Sequence, residues 1–340
     1  MRKAVSRRSV VCGITAPFIL PSLGSADEET PGGFVSVRAF GAKGDGVTDD
    51  TEALIRAHSS GKPVFYPRTD GFYRISHVLP ATTSARSNGA EIRIVGDGTH
   101  PKTIFRVTDN AAPIEISGLV LDGGYKSGGS VNAQWSHGID LSGARNVAVS
   151  GNIIQNTFGD CVYVGSANDK IASNNIQVRA NKLLHPFRCN VAVVCGENVV
   201  IENNICMKEI DFVAGIDLEP DVNGFDFVRR VKILNNRFYA VGRFITAGVN
   251  NGTENTDLLV SRNQGQALEF VRTWKDALLR NATITRNTFS ATSSKGVMLN
   301  LDAMDGKVAD NVDNTACGDG YKSLIVHDCA ISVSENKFCS

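Results

Sequence analysis

The chain has 340 residues, of which 42% are hydrophobic, and its 35 basic side chains are balanced by 35 acidic ones. A formal charge of zero gives no electrostatic support for a nucleic-acid partner or an anionic membrane surface, while the apolar content is sufficient for a large core. Beyond the N-terminal segment, no apolar run is long enough to span a bilayer.

The first 26 residues have the three-part organisation of an export signal. Basic side chains that include Arg7 and Arg8 precede an apolar stretch from Val10 to Leu23, and small residues follow it. This order is typical of a cleavable signal peptide, and the paired arginines indicate the twin-arginine route. We predict that residues 1–26 are removed on export to the periplasm or the medium, which leaves residues 27–340 as one folded domain.

A glycine- and aspartate-rich stretch follows, from Val37 to Ala53, with the sequence VRAFGAKGDGVTDDTEA. Thr48 or Asp49 can cap a helix of about Asp50 to His58, which would close the open end of a stack of strands. The aspartates of this stretch are therefore predicted to serve turns and the helix cap rather than to bind a metal.

The rest of the chain repeats one pattern: alternating aliphatic residues, then an asparagine, then a further apolar residue. Successive asparagines are 23 to 32 residues apart. One such strand cannot bury its apolar face alone, whereas stacked turns can, so the repeat predicts a parallel β-helix, right-handed by the general crossover preference. Asparagine suits tight corners and can stack its amides, so we assign these residues to the scaffold. They are Asn152, Asn181, Asn204, Asn236, Asn263, Asn287, Asn311 and Asn336.

The stretch from Val37 to Ala53 resembles the opening of the rhamnogalacturonase/epimerase-type "pectate lyase" domains, a branch of the pectin-lyase-like superfamily. The resemblance runs from about Val35 to the end of the chain and implies an all-β fold, a single-stranded right-handed parallel β-helix with a short N-terminal capping helix. It is less specific for activity, because hydrolases, lyases, epimerases and phage tailspikes share this fold. Further matching segments are 61–67, 73–75, 92–98 and 119–123.

Each turn carries a second strand upstream of its asparagine, and the strand in Gly215-Ile-Asp-Leu-Glu-Pro220 holds two carboxylates. Alternation along a strand puts Ile216 and Leu218 on one face and Asp217 and Glu219 on the other. If the aliphatic residues point inward, the middle residues of successive strands form an outward column. Its predicted members are Asp140, Tyr163, Ala192, Asp217, Ile245, Glu269, Met298 and Ile325.

Asp217 and Glu219 are the candidate catalytic pair. Residues two apart on a strand are separated by ~6.6 Å, nearer the ~6.5–9.5 Å of inverting glycosidases than the ~5–5.5 Å of retaining ones. Arg188 and Arg243, one turn to either side, would lower the pKa of Asp217 and favour a base role, which leaves Glu219 as the acid.

Asp160, just ahead of its strand, is a third catalytic candidate. The predicted substrate-binding residues are Trp135, His137, Asp140, Tyr163, Arg188, Arg243 and Glu269, and Arg272 and Trp274 either extend the groove or belong to a solvated loop.

Seven cysteines remain after the signal, an odd number at irregular spacing. This pattern is neither a disulfide framework nor a zinc motif. A single bridge among Cys317, Cys329 and Cys339 stays open.

Three function classes remain. A glycoside hydrolase would use Asp217 and Glu219 as base and acid across one bond. A polysaccharide lyase would need Arg188, Arg243 or His137 as a base beside a uronate, with the carboxylates binding Ca²⁺ or assisting neutralisation. A non-catalytic glycan-binding β-helix would have aromatic and charged residues without an acid–base pair, and a tailspike is disfavoured because a phage fibre needs no export signal. We favour the hydrolase, with a poly- or oligosaccharide partner and no cofactor, because the strand supplies two carboxylates and no lysine lies beside them.

Overall fold

The computed structural model describes most of the chain beyond the predicted export signal. Residues 1–26 lie outside the described residues, and so do Cys317 and Cys339. The described ranges are 30–95, 103–126, 134–168, 170–209, 213–221, 224–240, 242–248, 254–274, 278–293, 297–315 and 321–338.

The chain winds into a right-handed parallel β-helix of about ten turns, which confirms the predicted fold. Each full turn adds one strand to each of three sheets, always in the same order, so neighbouring strands of a sheet come from successive turns. Because successive turns pair strand to strand in all three sheets, their aliphatic residues share one continuous core, and only Ser166–Ala167 pairs antiparallel, with Ile171–Arg179.

Within a turn the chain passes from sheet 1 to sheet 3 and then to sheet 2, which carries the candidate site. Sheet 1 contains Val35–Ser36, Val64–Tyr66, Ala85–Ser87, Ile114–Ser117, Arg145–Ser150, Ser166–Ala167, Ile171–Arg179, Gly196–Glu202, Val228–Leu234, Glu254–Thr256, Leu259–Ser261, Leu278–Thr285, Met304–Ala309 and Ala330–Ser334. Sheet 2, the site sheet, contains Leu79–Pro80, Phe105–Arg106, Ile139–Asp140, Val162–Val164, Val191–Val193, Ala214–Leu218, Arg243–Ala247, Glu269–Thr273, Val297–Asp302 and Lys322–His327. Sheet 3 contains Tyr73–Ile75, Glu91–Ile94, Val120–Asp122, Ile153–Gln155, Lys182–Leu184, Ile205–Lys208, Arg237–Ala240, Gln264–Ala267, Thr288–Ala291 and Val312–Asp313.

A short α-helix, Thr51–His58, packs at the N-terminal end after a 3₁₀ turn at Val37–Phe40. The helix begins one residue later than predicted because Asp50 turns its carboxylate away, to accept the backbone N–H groups of the preceding loop at 2.6 and 2.9 Å. Asp49 instead accepts from the backbone N–H of Thr51 at 3.0 Å. The aspartates thus serve the turn and the cap, as predicted.

The repeated asparagines form a ladder along the corner between sheets 1 and 3. The Oδ1 of Asn236, for example, accepts from the backbone N–H and the Nδ2 of Asn204 on the preceding turn, at 2.9 and 3.0 Å. Its own Nδ2 donates to the carbonyl of Ile201 at 2.9 Å. Because these buried polar groups satisfy one another from turn to turn, the ladder fixes the register of the stack and confirms the scaffold assignment.

Candidate active site

The outward column of sheet 2 is the wall that holds the candidate site. Asp140, Tyr163, Ala192 and Asp217 are register partners on four successive turns, as predicted. Asp140 is therefore three turns from Asp217, about 14 Å at ~4.8 Å per turn. Asp140 accepts hydrogen bonds from Arg106 at 2.8 Å and from its neighbour Ser142, so its oxygens are engaged at that distance from the pair.

Beyond Asp217 the predicted column is wrong on three of the next four turns, by one residue at Ile245, by three at Glu269 and by two at Met298. Ile245 and Met298 are buried in the core, and the column continues through other residues of the same strands. At Ile245 the reason is a corner of the chain. The rings of Phe244 and Phe238 stack with 3.5 Å between their centroids, so Phe244 and Ile245 both face inward and the alternation starts one residue later. The observed members on these turns are Thr246, Arg272, Asn300 and Ile325, the last of which was predicted.

Asp217 and Glu219 form one unit at the centre of this wall. Asp217 is only 4% exposed, Glu219 is half-buried, and Thr246 Oγ1 donates to Asp217 Oδ1 at 2.5 Å. Burial, then the charge of Glu219 and the hydrogen bond between the two side chains, raises the pKa of Asp217 to about 8. Two carboxyl groups within hydrogen-bond reach require that one of them carries a proton, so the pair retains a proton at neutral pH.

This arrangement reverses the expected ionisation of the pair. Arg243 Nε lies 2.8 Å from a Glu269 oxygen, and Arg188 Nε lies 3.8 Å from Asp160 Oδ1. Each arginine therefore has a carboxylate other than Asp217 as its ion-pair partner, and burial decides the protonation of Asp217 instead.

Asp160 lies beneath the wall rather than on it. Its side chain is fully buried, Oδ1 accepts from the backbone N–H of Cys189 at 2.9 Å, and Oδ2 is 3.1 Å from His137 Nδ1. A group without solvent exposure cannot touch a substrate, so the geometry gives Asp160 a positioning role for His137 and Arg188 instead of the predicted catalytic one. Burial opposes the charge of Arg188, but Asp160, Asp217 and Glu219 outweigh it and raise the pKa of Arg188.

Aromatic rings flank the carboxyl pair along the wall. His137 stacks on Tyr163 with 4.5 Å between ring centroids, and Trp135, 52% exposed, lies 5.7 Å from the guanidinium of Arg188. On the other side Trp274, 42% exposed, packs against Gly248, where a Cβ would approach its ring to 3.0 Å. These flat apolar faces on both sides of the pair suit sugar rings.

Glu269 and Thr246 complete the wall in ways that sequence reasoning missed. Glu269 lies at the start of its strand, outside the central column, and binds Arg243 at 2.8 Å and Arg272 at 3.1 Å. The predicted outward position of Ile245 implies by alternation that Thr246 faces the core, whereas Thr246 lies on the wall beside Asp217. The sequence signal for an outward Thr246 was its polar side chain one turn from Asp217.

Within the described residues, no three His, Cys, Asp or Glu side chains are arranged to hold a metal ion, and no helix is long and apolar enough to cross a membrane. The five cysteines of these ranges, Cys161, Cys189, Cys195, Cys206 and Cys329, form no disulfide. The absence of a cofactor stays a prediction.

Comparison with known proteins finds a family model, individual protein sequences and solved structures that are similar to this chain. A sequence model of the family described as "Rhamnogalacturonase A/epimerase, pectate lyase-like" matches residues 34–251. The preneck appendage protein of Bacillus phage PZA is 39% identical over 100 residues, which are 27% of this chain and only 12% of the phage protein.

Two solved structures illustrate the likeness of fold. The A-module of the mannuronan C-5 epimerase AlgE4 from Azotobacter vinelandii has a TM-score of 0.58 at 15% identity, covering 89% of this chain and 95% of that one. The tailspike of E. coli bacteriophage HK620, solved in complex with a pentasaccharide, has a TM-score of 0.62 at 14% identity, covering 88% and 66%. At these identities the likeness shows the fold alone.

Proposed function

Since the chain belongs to the rhamnogalacturonase A/epimerase, pectate lyase-like family, we propose that it cleaves a polysaccharide, as a glycoside hydrolase with Asp217 and Glu219 as its carboxyl pair. The observation that carries the proposal is the hydrogen-bonded pair in which burial keeps a proton on Asp217. One protonated and one ionised carboxyl group supply the acid and the nucleophile that glycoside hydrolysis needs.

In the proposed reaction, Asp217 gives its proton to the glycosidic oxygen as the bond to the anomeric carbon breaks. The carboxylate of Glu219 attacks that carbon and forms a glycosyl ester. The Asp217 carboxylate then takes a proton from a water molecule, whose oxygen displaces Glu219 and restores both groups. Two inversions at one carbon retain its configuration.

The choice of a polymer as substrate is supported by the length of the aromatic wall. Trp135 and Trp274 lie on opposite sides of the pair and are separated by about four to five turns, or about 20 Å at the stacking distance of a sheet. Rings at that separation can contact sugars on both sides of the cleaved bond at the same time.

The test is a panel of polysaccharides in which new reducing ends are measured for the parent, Asp217→Asn and Glu219→Gln. We expect each amide variant to lose about 10²–10⁴-fold in rate, because the amide preserves shape but removes the proton chemistry. Glu202→Gln, on sheet 1, is the matched control and should cleave at the parent rate. If both site variants fold and cleave like the parent, the pair belongs to the scaffold.

A lyase is the second candidate, on one observation. His137, stacked on Tyr163, and Arg188 both lie near Asp160, and together they offer a base and a cation that would neutralise a uronate carboxylate. The same panel separates the two, because a lyase yields an unsaturated uronate with ultraviolet absorbance and a hydrolase does not. Binding without either product would support a glycan-binding β-helix, the class that phage appendage relatives bring into consideration.

We further propose that the chain is exported by the twin-arginine route and cleaved after Ala26. N-terminal sequencing of protein from the periplasm or the medium tests this, and an exported protein that still begins at Met1 would contradict it.

A further inference from the structure

A cavity of about 590 Å³ lies on the corner between sheets 1 and 3, the corner that does not border the site sheet. It is an open trough alongside the asparagine ladder, and nothing in the proposed reaction uses it. Its polar walls include Asn203, Asn235 and Gln264 together with three arginines, Arg237, Arg262 and Arg286. We name this feature the arginine corner.

Two arginines of the arginine corner occupy a position that recurs on every turn of the ladder. Arg262 and Arg286 precede the ladder asparagines in the left-handed region, with φ of 56° and 57°. On other turns the same position holds Gly151, Ala180, Asn203, Asn235, Asp310 and Glu335, also in the left-handed region, so the turn imposes this conformation on whichever residue stands there. Because the position recurs on every turn, Arg262 and Arg286 start from equivalent places on two successive turns.

The charges of the arginine corner repel one another. Successive turns are ~4.8 Å apart, so the guanidinium groups form a column of like charge. Within the described part of the chain, neither Arg237 nor Arg262 has a carboxylate at ion-pair distance, and Arg286 has only the exposed Asp310, at 3.9 Å. An exposed pair of that length contributes little, so an anionic ligand would relieve most of the repulsion.

We propose that the arginine corner binds an acidic polysaccharide through its carboxylates. The guanidinium fork matches a carboxylate with two parallel hydrogen bonds, and the amides of Asn203 and Asn235 can pair with hydroxyl groups. Because the trough is open and runs along the helix axis, it fits a linear chain with charges at intervals rather than a small ion. The anionic class follows from the corner itself, and only the choice of a glycan rests on the proposed function.

The surroundings of the corner disfavour a nucleic acid. Asp310 and Glu335 occupy the arginine position on the next two turns and end the basic column, so only a short anionic segment can lie along it. The chain as a whole has no net charge, so the long basic stripe typical of nucleic-acid binding is missing from its composition.

The test replaces Arg262 and Arg286 together by asparagine, the residue that the chain uses on its own earlier turns. The melting temperature should not fall, because asparagine accepts the left-handed backbone more readily. Affinity for polygalacturonate, measured by calorimetry at fixed salt, should fall at least about tenfold, as expected for the loss of charge-assisted pairs. Arg145→Asn, an exposed arginine on sheet 1, is the matched control, and dextran is the neutral polymer.

Two results would overturn the proposal: parent-like affinity for polygalacturonate in the double variant, or equally tight binding of duplex DNA by the parent. Hydrolysis of a short oligosaccharide by the double variant should stay at the parent rate, because the corner is remote from Asp217. If Glu219→Gln proves harmless to activity while the double variant loses polygalacturonate binding, the proposed function fails and the arginine corner stands.

Discussion

At the scale of single residues, Asp217 shows how competing effects on one carboxyl group are decided. A nearby arginine lowers the pKa of a carboxyl group and burial raises it. In this chain Arg243 pairs with Glu269 and Arg188 pairs with Asp160. Asp217 is only 4% exposed, so little water is available to stabilise its charge. Sequence spacing could place the arginines one turn away, but it could not show which carboxylate each of them would bind.

Substitution of Thr246 tests this balance of effects on the pKa of Asp217. Its hydroxyl donates to Asp217 and stabilises the ionised form, so it lowers a pKa that burial and Glu219 raise to about 8. Thr246→Val should raise that pKa further, and the alkaline limb of the profile of kcat/KM against pH should move to higher pH. Thr246→Ser keeps the donor and should leave the limb in place. A limb that moves to lower pH in the valine variant would show that Asp217 is not the proton donor.

The same shift predicts a pH dependence of stability. The folded pKa of Asp217 is above its ordinary value of 3.8, so the native state binds more protons between about pH 4 and pH 8. The contribution of Asp217 is complete below about pH 4 and is lost as the pH rises towards 8. The free energy of unfolding of the parent should therefore fall over this window relative to that of Asp217→Asn, as measured by urea denaturation. Parallel curves for the two proteins would mean that Asp217 titrates normally.

At the scale of elements, the repeat determines the turns but not every side chain on them. Alternating aliphatic residues and a recurring asparagine are local signals, and each copy was recognisable from its own few residues. The outward column depends on where a strand begins after a corner, which Phe244 changes through its contact with Phe238 from another sheet. That contact is not local, so the pattern could place Asp217 correctly and still assign Ile245 to the wrong face.

The asparagine ladder predicts a strong and position-dependent cost of substitution. Asn263 is fully buried, accepts from the backbone and side chain of Asn236, and donates to the carbonyl of Ile233. Asn263→Ala leaves several of these groups without partners and should destabilise the fold by about 2–5 kcal/mol in urea denaturation. Asn336→Ala, on the last and less buried rung, is the control and should cost clearly less. Equal losses at the two rungs would contradict a buried hydrogen-bond ladder.

At the scale of the whole molecule, stacking turns the chain into a long straight wall on which residues far apart in sequence fall into line. The family resemblance and the repeat were sufficient to predict this architecture and the wall on which Asp217 and Tyr163 lie. They were not sufficient for the depth of each side chain, which is why Asp160 was predicted to be catalytic although it is buried beneath the wall. A solenoid makes position along its axis predictable, whereas depth below the wall depends on packing in three dimensions.

Trp135 and Trp274 test whether this wall works as one binding surface. Neither ring is placed to touch the reacting bond, so each should bind ground state and transition state alike and affect KM rather than kcat. An aromatic contact of about 0.5–1.5 kcal/mol corresponds to about a two- to tenfold rise in KM for the polymer in Trp135→Ala and in Trp274→Ala. Tyr239→Ala, which removes an exposed ring on sheet 3, is the matched control.

Because the two tryptophans are about 20 Å apart, their effects on the polymer should add, and a short oligosaccharide that reaches only one of them should respond to only one substitution. An unchanged KM in both variants would confine the substrate to the immediate surroundings of the carboxyl pair and remove the case for a polymer.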